Sequence, residues 1–501
     1  MYFCPRLLVG ERTDSEVLMV ITFRKRFRQV VGWLSVISAT SIGVARFRRE
    51  LIFVGISLAI AAVGFGMSGQ LLDVEGIVGV AGMFFAIILA IRSVYSYQHI
   101  LPDQETLVWR TRTLPAIDRF ELKTRFPDIL PSAVEQKAGF LLFHNPNVSK
   151  DTYMRSERFD NEFMLLKHVD LHILPSLKWG FFLLDEDRRR RQLQYLIARV
   201  RASNLRTTND SKCRFRMDDE VPPTKIELAR VGYFDSLMTN EAFRSELYQW
   251  RTDIEKEAED GERINLTGDF PVHQDAFAIA KKSVRLDTLE SSSASDHVGV
   301  TTLVVTSDRK LLMLRQGQTT IDASALLFGG SGSLDWKDIA RSANSSDIRS
   351  ILTTGMAREF LEETDAFRVY RRQGYAKKRD DQIRSVAENT LVIGYFRWVN
   401  RCGKPEFVGI TRSTLKYDDL QGGDRFEVWP WRGDAFQLAS LNDFAGIRDK
   451  IIEMVSQREF NLGLSAFVAL VRMAEISGYA SSEDPQKMQV YRNVSHHLGL
   501  S

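Results

Sequence analysis

Residues 51–72 run for 22 positions without an Asp, Glu, Lys or Arg. As a helix they would extend about 33 Å, at about 1.5 Å per residue, against a membrane hydrocarbon core of about 30 Å. A helix on the surface of a soluble domain keeps a polar stripe for water, so a run this long predicts a membrane span rather than a core helix. Residues 76–91 give a second uncharged run of 16. It becomes long enough to return if Arg92 snorkels and Tyr95 and Tyr97 sit at the interface. Only Asp73, Val74 and Glu75 separate the two, so residues 51–95 read as a two-helix transmembrane hairpin with an acidic turn. Arg24, Lys25, Arg26, Arg28, Arg46, Arg48 and Arg49 precede it, and the positive-inside rule then places the N and C termini in the cytoplasm. The expected location is the inner (cytoplasmic) membrane. Within the basic segment 1–50, residues 29–45 are also uncharged; an interfacial helix on anionic lipid is one reading and a third span the other.

Composition suits a cytoplasmic bulk behind such an anchor. Cys4, Cys213 and Cys402 are odd in number and widely spaced, as expected of reduced thiols in neither a disulfide frame nor a metal-ligand pattern. A net charge of +3 is too small to argue for a DNA or RNA polymer as partner. About 400 residues follow the hairpin, enough for two domains. Residues 98–290 form a connector of mixed α/β character. Its Arg188–Arg191 run reads as a solvated helix face or a phosphate contact, and His168 and His172 as ordinary histidines. The segment 290–295 (ESSSAS) reads as a flexible linker.

Beyond that linker the most informative residues are Arg358-Glu359-Phe360-Leu361-Glu362-Glu363. On one helix, Glu359, Glu362 and Glu363 stand at i, i+3 and i+4, so their carboxylates share a face. Like charges at that spacing repel, and a hard divalent cation would convert the repulsion into coordination. An exposed glutamate-rich helix partly relieved by Arg358 is the alternative. Leu352, Met356 and Phe360 repeat every four residues and would turn the opposite face to a core. Ser346 or Asp347 would cap the helix. Upstream, residues 298–314 read as a β-hairpin about a Ser307–Lys310 turn, and residues 325–328 as a strand running into Gly329-Gly330-Ser331-Gly332. Downstream lie a basic stretch (Arg368, Arg371, Arg372, Lys377, Lys378, Arg379), strands near 390–398, 405–411 and 425–429, and helices near 441–457 and 462–477. Glu406 and Glu427 fall in or near those strands, and either is a candidate fourth ligand or water-activating base.

A strand, a glycine loop and a helix carrying REΦxEE together resemble the Nudix superfamily, whose motif is G-x5-E-x7-R-E-U-x-E-E-x-G-U. Gly330 matches its opening glycine; Arg358, Glu359, Phe360, Glu362 and Glu363 match its core. Two departures stand out. The step from Gly330 to Arg358 is 28 positions, twice that of the motif, which implies an insertion over 334–349. The first glutamate is also missing, with Asp335 an approximate substitute. The resemblance covers residues 296–480, leaving 481–501 as a tail, and implies an α+β Nudix fold of mixed sheet and flanking helices. It implies Mg²⁺ (or Mn²⁺) on Glu359, Glu362 and Glu363, catalytic roles for Glu362 and Glu363, and ligand contacts at Gly329, Gly330 and Arg358.

With the hairpin, the order of segments resembles the two-transmembrane Nudix effectors of bacterial cyclic-oligonucleotide antiphage defence (CBASS). That architecture implies a membrane-anchored, homo-oligomeric sensor that binds a cyclic oligonucleotide and perturbs the lipid bilayer through its spans. The other reading is a membrane-tethered, Mg²⁺-dependent hydrolase of nucleoside diphosphates linked to another group.

Overall fold

Residues 299–305 (GVTTLVV) are β-branched or apolar at nearly every position, the composition of a strand covered on both faces. They occupy the middle of the fold. The computed structural model describes residues 120–124, 129–130, 133–144, 152–174, 210–218, 220, 222–242, 245–250, 263–265, 277–280, 283–316, 325–364, 366–372, 378–420, 428–430, 434–457 and 461–500. In chain order the elements around the site begin with β1 (Leu141–His144), β2 (Thr152–Arg155), α1 (Glu157–Leu165) and β3 (Asp170–Leu174). Next come β4 (Ser211–Met217), β5 (Lys225–Gly232), α2 (Tyr233–Met238), β6 (Gly299–Val305), β7 (Leu314–Gln316), β8 (Ala325–Leu327) and β9 (Ser331–Ser333). Helices α3 (Trp336–Arg341), α4 (Ile348–Glu363), α5 (Ala366–Arg372) and α6 (Arg379–Ala387) follow, then β10 (Thr390–Trp398) and β11 (Lys404–Arg412). The chain continues through β12 (Val428–Pro430), α7 (Asp443–Ser456), β13 (Asn461–Leu462), α8 (Leu464–Gly478) and α9 (Pro485–Leu498).

The central sheet has six strands in the order β9-β6-β11-β10-β2-β1. Only β6 and β11 run parallel; the other neighbours are antiparallel. Side chains alternate across it as a strand period of two requires. Leu303 and Val305 of β6 join Ile393, Val408 and Ile410 in a core with α7, α8 and α9. Val300 faces the other way, with Met356 and Leu352 of α4, Phe159 and Phe163 of α1, and Phe215 of β4. Both faces are therefore covered, and every residue of β6 is buried. A second, four-stranded sheet has the order β12-β7-β8-β13 and a third the order β3-β5-β4. Strands Phe120–Thr124, Ser245–Trp250 and Arg263–Asn265 form one small sheet; Ile129–Leu130, Phe277–Ala280 and Ser283–Leu286 form another.

The chain was expected to be a membrane-anchored protein of the inner membrane with a two-helix hairpin. Among the described residues the fold is mixed α/β with several sheets, and no helix is long and apolar enough to cross a membrane. The longest described helix, α4, has 16 residues, or about 24 Å, short of the ~30 Å core, and it carries charges. The transmembrane fold class and the inner-membrane location are therefore withdrawn. The runs 29–45 and 51–95 lie outside the described residues, as do Arg188–Arg191, Glu427 and Lys377. The hairpin expected at 298–314 is half present. The turn closes through Thr306 N–H to the Lys310 carbonyl, at 2.9 Å, but β7 leaves to pair with β8 and β12 in the second sheet. The expected linker 290–295 is packed: Ser292, Ala294 and Ser295 are buried.

One defect in the central sheet explains how α1 and α8 attach. The β10–β11 register shifts between Val392 and Gly394, which frees backbone groups inside the fold. Arg472 of α8 donates from Nε to the Ile393 carbonyl (2.8 Å), and Asp160 of α1 accepts from the Tyr395 N–H (2.7 Å). Asp160 is in turn held by Arg155 Nε at 2.6 Å, and Arg472 reaches Asn161 Oδ1 at 2.5 Å and the Tyr479 hydroxyl at 2.8 Å. Asp160 and Arg472 are fully buried. Removing the carboxylate leaves two buried guanidiniums and an amide without it, so Asp160→Ala is expected to cost about 3–5 kcal/mol. A urea melt of the variant within about 1 kcal/mol of the parent would show that the bulge does not depend on this network.

Candidate functional site

Helix α4 starts at Asp347, whose carboxylate accepts from the Arg349 N–H at 3.1 Å, and runs to Glu363. The three glutamates therefore occupy its last turns, where the helix dipole is already negative. No basic residue stands in the last turn to relieve them. Their compensation comes from strand β9, from Arg358 earlier in the same helix and from Arg379 of α6.

Strand β9 supplies part of it. One edge of β9 pairs with β6, so the Ser331 and Ser333 amides point to the other side, toward α4. Ser333 N–H donates to Glu359 Oε1 at 3.1 Å and Ser331 N–H to Glu363 Oε2 at 3.0 Å. The match is geometric. Four helical residues rise about 6.0 Å, and two strand residues about 6.6 Å, so carboxylates at i and i+4 meet amides at j and j−2. This close approach requires glycines. A Cβ on Gly332 would collide with the Glu359 carboxylate, and one on Gly330 with the Phe360 amide nitrogen. Gly329 and Gly330 are both buried, and a Cβ on Gly329 would strike the Thr302 carbonyl.

Arg358 supplies the rest. It is buried, and its guanidinium donates from Nε to both oxygens of Asp338 (3.0 and 3.1 Å) and from Nη2 to the Ser333 carbonyl (2.7 Å). Its Nη1 lies 3.0 Å from Glu359 Oε1 and 3.1 Å from Glu362 Oε2. Glu362 also pairs with Arg379 of α6, whose guanidinium lies 4.4 Å from the Phe367 ring centroid. Asp338 is fully buried in α3 and accepts from the Asp335 N–H at 2.9 Å. Asp335 pairs with Lys212 of β4 at 2.5 Å. Burial alone would raise the Asp335 carboxyl, but Lys212 and Arg358 outweigh it and hold it below its usual value. Arg358 is held well above its usual value: burial opposes the charge, and Glu359, Asp338 and Asp335 favour it more strongly.

The sequence-derived residues separate as follows. Arg358, Glu359, Glu362 and Glu363 come together at the end of α4. Asp338, rather than Asp335, is the acid that directly holds Arg358, and it lies within the expected insertion, which folds as α3. Glu406 sits on β11 beside Gly299, buried and paired with Lys404. Lys212, Asp338, His297 and the Ser331 and Ser333 amides were missed. His297 is buried, and its Nε2 lies 3.1 Å from Ser333 Oγ. Only Asp338 left a signal: Asp335-x-x-Asp338 opens α3 as a reciprocal cap.

A divalent cation between Glu359 and Glu362 does not fit this arrangement. Arg358 Nη1 bridges both carboxylates, and one oxygen each of Glu359 and Glu363 is committed to a strand amide. Among the described residues, no group of three or more His, Cys, Asp or Glu side chains is arranged to hold a metal. No family model matches the chain, and no curated protein matches it significantly.

Burial pushes the Glu359 carboxyl up to about 7, against the pull of Arg358 and with Glu362 adding to the rise. A carboxyl whose pKa is higher in the folded state favours folding below its ordinary value of 4.5. That contribution is lost as pH rises to about 7. Glu359→Gln keeps a carbonyl acceptor for the Ser333 amide and removes the titration. Between pH 4.5 and 7.5 the parent is expected to lose about 2–3 kcal/mol relative to this variant in urea melts. Parallel pH profiles for the two proteins would contradict that.

Proposed function

We propose that residues 296–480 form a Nudix-like module that binds a nucleotide through its phosphates and acts by binding rather than by turnover. A cyclic oligonucleotide is the ligand class implied by the resemblance in the order of segments; the REΦxEE helix and its glycine loop imply a nucleotide phosphate without choosing among nucleotides. The observation that carries the reading is the position of Arg358 Nη1, within 3.1 Å of both Glu359 and Glu362. A hydrolytic metal would have to displace a buried guanidinium that Asp338 and the Ser333 carbonyl also hold. A ligand phosphate has an easier target. Arg379 is half exposed and joined to Glu362 and the Phe367 ring. Phosphate oxygens compete well for such a guanidinium, because they accept paired, charge-assisted hydrogen bonds. Capture of Arg379 would release Glu362 from one of its two cations, a local change that a downstream response can read.

The full chain, incubated with cyclic di- and trinucleotides and nucleoside diphosphate conjugates with and without Mg²⁺, tests this. Chromatography of the bound and free pools is expected to return a cyclic oligonucleotide intact, with retention lowered about 10-fold or more by Arg379→Ala, a loss of at least ~1.4 kcal/mol. Conversion of a diphosphate conjugate to monophosphates, abolished by Glu363→Gln, would replace the sensor with a hydrolase. Glutamine preserves an acceptor for the Ser331 amide, so that loss would report chemistry rather than a broken strand contact.

A further inference from the structure

Helix α2 and the two residues after it face residues 295–297. The contact is specific. Ser295 N–H donates to Thr239 Oγ1 at 3.0 Å and Asp296 N–H to Asn240 Oδ1 at 2.9 Å. Asn240 returns a bond from Nδ2 to Asp296 Oδ1 at 3.0 Å and another to the Arg401 carbonyl at 3.1 Å. Asp296 takes up a left-handed backbone, φ 41°, which aspartate tolerates better than most residues. Tyr233 opens α2 and meets the His297 ring edge to face, with centroids 6.1 Å apart. Ser236 stands three residues on, on the same helical face as Tyr233.

Four side-chain atoms on these facing segments are buried and carry no hydrogen-bond partner among the described residues: Ser236 Oγ, Ser295 Oγ, Asp296 Oδ2 and His297 Nδ1. Their residues are each between 0 and 3% exposed. A buried polar atom left unpaired is costly, so four on two facing segments need an occupant. The set mixes a carboxylate acceptor, two hydroxyls that both donate and accept, and an imidazole nitrogen. Only a small molecule that donates and accepts equally suits it.

We propose that α2 and residues 295–297 enclose a bound-water site, holding about two molecules that each make about three hydrogen bonds. The site adjoins β9 through the His297 contact to Ser333. Water on His297 Nδ1 pairs the ring nitrogen that does not face Ser333 Oγ, and so holds the ring in place against that hydroxyl. His297 is then a positioning residue for the strand amide that Glu359 receives. The ring stays neutral, since burial and the nearby Lys404, Lys212 and Arg401 all oppose its protonation.

A high-resolution crystal structure of the full chain is expected to show enclosed waters within hydrogen-bond distance of Asp296 Oδ2 and His297 Nδ1. Direct bonds among the four side chains, or a metal at coordination distance from Asp296, would overturn the proposal. Magnetic relaxation dispersion of solvent nuclei provides a second readout in solution. The parent is expected to show long-lived internal water that Ser236→Val, which fills the space with methyl groups, reduces. If the parent and Ser236→Val give the same dispersion amplitude while Ser236→Val remains folded by circular dichroism, the water site is absent.

Discussion

A guanidinium with five donors in a fixed plane can satisfy several acceptors at once only if they surround it. Arg358 is surrounded in this way. Its contacts reach α3 through Asp338, β9 through the Ser333 carbonyl, and its own helix through Glu359 and Glu362. Without it, three carboxylates would crowd the negative end of α4 with little to oppose them. Without them, a cation would be buried beside the sheet at a cost of several kcal/mol. Each half makes the other tolerable, and the glycine strand is held between them because both halves also bond its backbone.

The same logic operates at the bulge in β10. Asp160 and Arg472 serve as backbone partners at the β10 bulge, and each is held by further charged or polar groups from a different part of the chain. In both places a charged pair is buried because it repairs a gap in the backbone ladder. A hydrophobic replacement would pack as well but would leave an amide or a carbonyl unpaired. Conformational precision is therefore built from polar contacts at two points, while Leu303, Val305, Val408 and Met356 supply the apolar burial between them.

The inward face of α4 was legible because it follows period. The helical spacing of Leu352, Met356 and Phe360 placed them inward, and all three are fully buried; the same spacing brought the glutamates together on α4. What spacing does not contain is the partner. Nothing at positions 359 and 363 says that their carboxylates will receive the amides of Ser331 and Ser333, since that depends on how closely the glycines let β9 approach. Asp338 escaped notice for a related reason: it takes part in the site through α3, in the stretch 334–349 that was expected to be an insertion. Lys212 reaches the site from a segment assigned to the connector, and His297 from the first residues of the Nudix-like region, where no motif marks it. Tertiary pairing of β4 with residues 296–298 and 334 brings them there, through bonds such as Cys213 N–H to the Leu334 carbonyl at 3.0 Å. The apolar run at 51–72, the plainest pattern in the sequence, falls outside the described residues.

A carboxylate cluster is usually read as a demand for a metal, because repulsion among the charges needs an opposing cation. Here opposing charge and dipoles are already present, in Arg358, Arg379 and two strand amides. That changes what a ligand must do to bind. A divalent ion entering between Glu359 and Glu362 would have to expel Arg358 from a buried position, losing its contacts to Asp338 and Ser333 as well. An anion approaching Arg379 disturbs only one half-exposed ion pair, of a kind worth about 0–1 kcal/mol. The energetic asymmetry favours an anionic ligand at the outer edge of the cluster over a cation at its centre. It also assigns the two guanidiniums different work: Arg358 is fixed by what it holds together, and Arg379 is free to exchange partners.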